Sequence, residues 1–296
     1  MRQAPAKSKS IEKLVIEAPT HKHGPVMAIG GAEDRTSDGE ILGRFVEAAG
    51  GDQAHILIIP TASEDPTKTG KTYIDVFGKH GVKQVDVLDI DDRVTANDPS
   101  LCKRLEKASG VFITGGDQAR LVTRLFGTAF AECLRVSNAN GVVVGGTSAG
   151  ASAVSSHMML GGTGEAGNSN DAAARKGMVD TVAGLGLIED MVIDQHFSER
   201  GRLGRLLSAF AANPGLMGIG LDQDTAVIID SDDIAEVLGT GMVTIVDGRM
   251  PISDYFDKEV GDVLTVTGST LHVLSPGRRF DLRERRALEA DCSKSG

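Results

Sequence analysis

The chain has 296 residues, 41% hydrophobic and 24% charged, with a formal net charge of −10. That balance excludes wholesale disorder, and the length suits one large α/β domain or two small ones. The acidic balance disfavours a nucleic-acid partner, and no apolar run approaches the roughly 20 residues that span a membrane.

Residues 1–24 start basic, lack an apolar stretch of signal-peptide length, and read as a flexible leader followed by one short strand, so secretion is not expected. Cys102, Cys133 and Cys292 form an odd set without CxxC spacing, which predicts reduced structural thiols and a cytoplasmic protein. With 37 Gly and only 4% aromatics, tight strand-to-helix turns are favoured over an aromatic-rich sandwich.

From Val26 onward apolar runs alternate with amphipathic segments, the pattern of βα units around a mostly parallel sheet flanked by helices on both faces. VMAIGG is the first strand. Residues 37–49 then read as a helix with Ile41, Phe45 and Ala48 on one face, and HILIIPTAS as a buried strand. A helix around Tyr73–Lys79, the strand KQVDVLDI and a helix opening at Pro99 follow. VFITGG breaks into GGDQARLVTRLF, and GVVVGG into TSAGASAVSS; both have the form strand, Gly turn, helix. The nucleophile helix is expected to reach His157. After a long Gly-rich loop at residues 160–177 come MVIDQHF, a helix through SERGRLGRLLSAFAA, and the strands LMGIGLD and TAVIID. Period-two alternation predicts antiparallel C-terminal strands, with a domain over 25–277 and a charged tail over 278–296.

GGTSAG after a buried strand has the pattern of a nucleophile elbow, although a phosphate-cradling turn fits it too. Gly146, Ala149 and Gly150 are small enough for so sharp a turn around Ser148. The Ala149 N–H is a natural oxyanion donor, with Gly116 of the Gly115–Gly116 turn as the second. Of seven histidines, His196 alone follows a buried strand in a polar turn, where strand ends gather at a ligand crevice. For the orienting acid, Glu165, Asp222 and Asp224 all remain open, since no spacing chooses among them. Arg200, Arg202 and Arg205 beside His196 suggest guanidinium forks for carboxylates, with Gln118 adding an amide contact. The lack of a GxGxxG after the first strand disfavours a dinucleotide fold.

Taken in order, GGAED, IIPTAS, FITGGDQ, GGTSAGAS, the Gly-rich loop containing GE, VIDQHF with its three arginines, and GIGLDQDTA resemble the cyanophycinases. These are serine exopeptidases that cut cyanophycin, a poly-aspartate carrying arginine on each β-carboxyl, into β-aspartyl-arginine dipeptides. The resemblance implies a fold similar to class I glutamine amidotransferases, a homodimer, and no metal or other cofactor. It also implies Ser148 as nucleophile, His196 as base, and Glu165 as the position commonly given the acid. Gln118, Asp194, Gln195, Arg200, Arg202 and Arg205 would form the substrate pocket, with Glu33 or Asp34 available for a substrate guanidinium. One departure stands out: family members can place the third triad residue in a GIDE-type motif, and the matching residue here is the neutral Gln223. Two other readings stay open, an aspartyl dipeptidase acting on short Asp-X peptides and a non-catalytic binding protein of the same fold.

Overall fold

The structure is a computed structural model and describes residues 23–36, 38–161, 173–248 and 252–289. Strands β1 (Val26–Ile29), β2 (His55–Ile59), β3 (Gln84–Val87), β4 (Gly110–Ile113) and β5 (Val143–Thr147) pair in parallel in the order β1-β5-β4-β2-β3. β1, β4 and β5 are buried at every position, so they read as unbroken apolar runs instead of alternating.

Helices α1 (Glu40–Ala48), α2 (Pro66–Lys79), α3 (Arg93–Ala96), α4 (Pro99–Leu105), α5 (Gln118–Leu125) and α6 (Ala129–Ala139) cover this sheet. The pleat sorts the strand residues between the two faces. Met27, Ile29, Ile56 and Ile58 pack with α1 and α2, while Val26, Ala28, Leu57 and Ile59 pack with α4, α5 and α6. α2, α4, α5 and α6 each begin at a side-chain cap (Asp65, Asp98, Asp117 and Thr128), which accepts a first-turn N–H.

The second half of the domain differs from the single sheet expected. Helix α7 (Ala149–Ala153) stops after five residues, and the chain enters β6 (Ser155–Met159), which carries His157. Then come β7 (Thr181–Ala183), β8 (Ile188–Gln195), α8 (Leu203–Ala212), β9 (Met217–Leu221), β10 (Thr225–Ile229), β11 (Ile234–Gly239) and β12 (Val243–Asp247). The last strands are β13 (Ile252–Ser253), β14 (Val266–Thr267), β15 (Thr270–Leu274), β16 (Arg279–Asp281) and β17 (Arg286–Ala287). β10, β11, β16 and β17 continue the first sheet antiparallel from β1, giving nine strands. A separate six-stranded sheet has the order β15-β12-β9-β8-β6-β7, parallel only across β6-β8-β9. The result is one α/β domain with two mixed sheets.

Three segments depart from their sequence reading. Cys102 on α4 and Cys133 on α6 form a disulfide, so these two are not reduced thiols. Local spacing could not show this, because the partners meet only through the packing of two helices. His23, in the segment read as leader, is buried and hydrogen-bonded to Asp233 at 2.8 Å. The residues after Arg278 supply β16 and β17, with Phe280 and Leu282 buried.

Candidate active site

β1 and β5 end side by side, and the turns beyond them leave no room for side chains. A Cβ at Gly146 would lie 2.3 Å from the Gly150 carbonyl oxygen, and one at Gly150 would lie 2.3 Å from that of Ile113. Between these glycines Ser148 takes φ 52° and ψ −113°, held by its N–H donating to the Ile29 carbonyl at 2.9 Å. Such a backbone costs on the order of 1–3 kcal/mol and persists only where its surroundings enforce it. Ala149 opens α7, so its N–H has no acceptor within the helix.

His196 directly follows β8 with φ 47°, its N–H donating to the Gly30 carbonyl at 2.9 Å. Gly31 (φ +97°) lies flat against the imidazole; a Cβ there would sit 2.4 Å from His196 Cε1. The loop after β1 thus seats both groups, and Ser148 Oγ lies 3.0 Å from His196 Nε2. Burial first, then the cations Arg200 and Arg202, hold the His196 pKa below its ordinary value, against the pull of Glu199 and Glu33. The imidazole therefore stays neutral, as a base must be, to a pH below the usual histidine midpoint.

At the other ring nitrogen stands Gln223, with Nε2 3.0 Å from His196 Nδ1. Asp222 is turned away, accepting from Ser198 N–H at 3.0 Å, Ser198 Oγ at 2.5 Å and Met242 N–H at 3.0 Å. Asp224 is also committed, to Asp34 N–H at 2.9 Å and Thr240 Oγ1 at 3.0 Å. Of these three residues only Gln223 reaches the imidazole. Glu165 lies outside the described residues.

The arginine series divides. Asp194 is fully buried, with Arg202 Nη1 at 3.1 Å from Oδ1 and Arg205 Nε at 3.2 Å from Oδ2. Burial lifts the Asp194 carboxyl above its usual range, and the two guanidiniums pull it back. Arg202 also donates to the Gln195 carbonyl. Arg200, in a 3-10 turn over Ser198–Arg200, is exposed. Gln118 Nε2 donates to the Met159 carbonyl at 2.9 Å, tying α5 to β6. Gly115 is the glycine against Ser148, where a Cβ would approach the serine Cβ to 3.0 Å; Gly116 (φ +144°) packs on the Ala62 carbonyl. Gln195 Oε1 and Arg205 Nη2 are buried without a hydrogen-bond partner among the described residues.

Sequence reasoning missed the opposite wall. A cleft of about 270 Å³ is lined by Ser148, His196 and Gly115 together with Arg35, Thr72 and Tyr73. Glu33 lies buried behind it, accepting from Tyr73 Oη at 2.5 Å, from Thr147 Oγ1 at 2.6 Å and from Arg35 Nε at 3.3 Å. Glu33 is therefore not free to meet a substrate guanidinium. Asp34 already accepts from the Thr36 N–H and hydroxyl, both at 2.9 Å. The available signal was the charged run AEDR directly after a buried strand, where side chains enter the strand-end crevice.

A serine on a strained turn at a helix start, within hydrogen-bond reach of a strand-end histidine, defines a serine-type hydrolase. Comparison with known proteins narrows the class. The model of peptidase family S51 matches residues 26–237, and the chain belongs to that family of serine-type peptidases. It is 41% identical over 265 residues to the cyanophycinase of Geminocystis herdmanii, covering 89% of this chain and 95% of that one. With the cyanophycinase of Trichormus variabilis it shares 42% identity over 294 residues, covering 98% and 94%. Among solved structures it is similar in fold to a peptidase from an acI-B1 actinobacterium, at a TM-score of 0.64 and 20% identity, covering 89% of this chain and 98% of the other.

Proposed function

We propose that this chain is a serine exopeptidase that hydrolyses cyanophycin to β-aspartyl-arginine dipeptides through an acyl-enzyme. The observation that carries this is the 3.0 Å contact between Ser148 and His196 at a cleft, and the curated relatives supply the substrate. Ser148 Oγ attacks the scissile carbonyl while His196 Nε2 takes its proton. The Ala149 N–H and an amide of the Gly115–Gly116 turn receive the oxyanion. The proton then passes to the leaving amine, and a water repeats the sequence to free the acid. Gln195 Oε1 and Arg205 Nη2, buried and without a partner among the described residues, fit a site that completes its hydrogen bonds with substrate. Substrate contacts by Gln118, Asp194, Arg200 and Arg202, a role for Glu165, the glutamine amidotransferase-like relationship and the homodimer belong to the same proposal. So does the cytoplasmic location, although the Cys102–Cys133 disulfide removes the thiol argument that supported it.

Gln223 gives the mechanism a particular weakness. With its Nε2 toward Nδ1, the amide donates to the ring, and the ring proton sits on Nε2, facing the serine. That tautomer cannot accept the Ser148 proton. A half-turn of the amide brings Oε1 to Nδ1–H and frees Nε2, but no carboxylate then stabilises the imidazolium. Gln223→Glu admits only the competent tautomer and adds the missing charge. It is expected to raise kcat by about tenfold or more. The sign on pH is also fixed: a carboxylate at Nδ1 favours imidazolium and raises the His196 pKa, so the acid limb of kcat/KM moves up by roughly 1–3 units. A pH–rate profile of the variant checks both effects.

The same residue favours a second reading, a binding protein that keeps the fold without turnover. Incubating the purified protein with insoluble cyanophycin decides between them, following turbidity and identifying products by mass. Clearing with release of β-aspartyl-arginine is the expected result. No clearing by folded protein, together with measurable binding of the polymer, overturns the enzymatic proposal.

A further inference from the structure

We propose that Arg35 is a specificity residue of this cleft, holding a substrate carboxylate beside the scissile bond. Among the described residues that line the cleft with Ser148 and His196, it is the one permanently charged side chain. Of the arginines singled out in sequence, Arg202 and Arg205 are both drawn onto the buried Asp194, and none of the three lines this cleft. A polymer bearing a carboxylate on every repeat needs a cation in the cleft that holds the serine, and Arg35 lines that cleft.

Its posture is set before any ligand arrives. The guanidinium lies 5.1 Å over the Tyr73 ring, and its Nε and Nη2 are each 3.3 Å from Glu33 Oε1. Those contacts use the Nε–Nη2 edge of the fork, on a side chain that lines the cleft. The side chain of Arg35 is 47% exposed and that of Glu33 is 0% exposed, so the surface the substrate meets is the cation and not its counter-ion. Glu33 is itself fixed by the hydroxyls of Tyr73 and Thr147. Burial, and then the Glu33 charge, push the Tyr73 hydroxyl well above its usual range, so it remains a protonated donor. Thr147 directly precedes Ser148, which ties the anchoring group and the reacting serine to one rigid unit.

This inference rests on the hydrolytic activity proposed above, and its test tells failure of the one from failure of the other. The carboxylate could be the one ending the aspartyl backbone or the one on each arginyl branch. Three soluble oligomers of β-aspartyl-arginine separate these: the free acid, its backbone-terminal carboxamide, and its arginine carboxamides. The wild type should cleave the free acid with a kcat/KM roughly tenfold to thirtyfold above one of the two amides, identifying the carboxylate held. Arg35→Met should lose that same factor on the free acid, mainly in KM, and cleave acid and amide alike; Arg35→Lys should fall between. A merely structural role would lower all three substrates together and leave their ratios intact, and that outcome overturns the proposal. If the wild type cleaves none of them, the hydrolytic reading fails first. Arg35 is then judged by calorimetry of β-aspartyl-arginine on Ser148→Ala with and without Arg35→Met. A tenfold weakening that disappears for the bis-amide supports the anchor; no binding, or binding indifferent to Arg35, overturns it.

Discussion

Ser148→Ala is expected to lower kcat on cyanophycin by about 10⁴-fold or more while leaving the folded protein intact. The backbone at this position is fixed by its neighbours, through the Ile29 hydrogen bond and the glycines at 146 and 150, and alanine bears φ 52° as serine does. What disappears is the hydroxyl oxygen that His196 Nε2 reaches. Because nucleophile and base act as a unit, His196→Ala should cost a similar factor, and the double variant little beyond either single one. The residual rate would come from binding and the oxyanion donors alone. Single-turnover rates on the soluble acid oligomer, alongside melting temperatures, check the claim. A Ser148→Ala protein that keeps more than a few per cent of its activity removes serine catalysis from consideration.

The strands that carry this chemistry were legible because they are buried on both faces and so almost wholly apolar, as in Val26–Ile29, Gly110–Ile113 and residues 143–146. Ser148 and His196 were legible through their context, a Gly-rich turn and a polar strand end, and the fold brings both to the loop after β1. The second sheet was not legible. α7 lasts only five residues, and nothing in GASAVSSHMM distinguishes a helix that continues from one that gives way to a strand. The choice among Asp222, Gln223 and Asp224 was also beyond sequence. These neighbours point in three directions from one turn, and only the packing of Ser198, Met242 and Thr240 shows which two are already engaged. Arg35 escaped notice because a basic residue among acidic ones reads as solvated surface until Tyr73, from a distant helix, comes beneath it.

Asp194→Ala is the substitution expected to cost most in stability, about 3–5 kcal/mol in chemical denaturation. The aspartate follows the buried apolar run 191–193 of β8, is itself fully buried, and is the only carboxylate in contact with Arg202 and Arg205 among the described residues. Removing it leaves two poorly solvated guanidiniums facing one another, a larger penalty than the pair's net contribution when whole. Two controls follow from that asymmetry. Asp194→Asn keeps the volume and one acceptor oxygen, and should destabilise less than alanine. Asp194→Ala combined with Arg202→Met and Arg205→Met removes the stranded charges, and should recover most of the loss even though three polar side chains are gone. Recovery would show that Asp194 serves to neutralise the two arginines, and it would place their charge in the stability of the β8–α8 junction. If the triple variant is no better than the single one, the aspartate's worth lies elsewhere, in its 3.0 Å hydrogen bond from the Gln195 N–H at the entrance to His196. Activity should follow stability in the first case, and fall without it in the second.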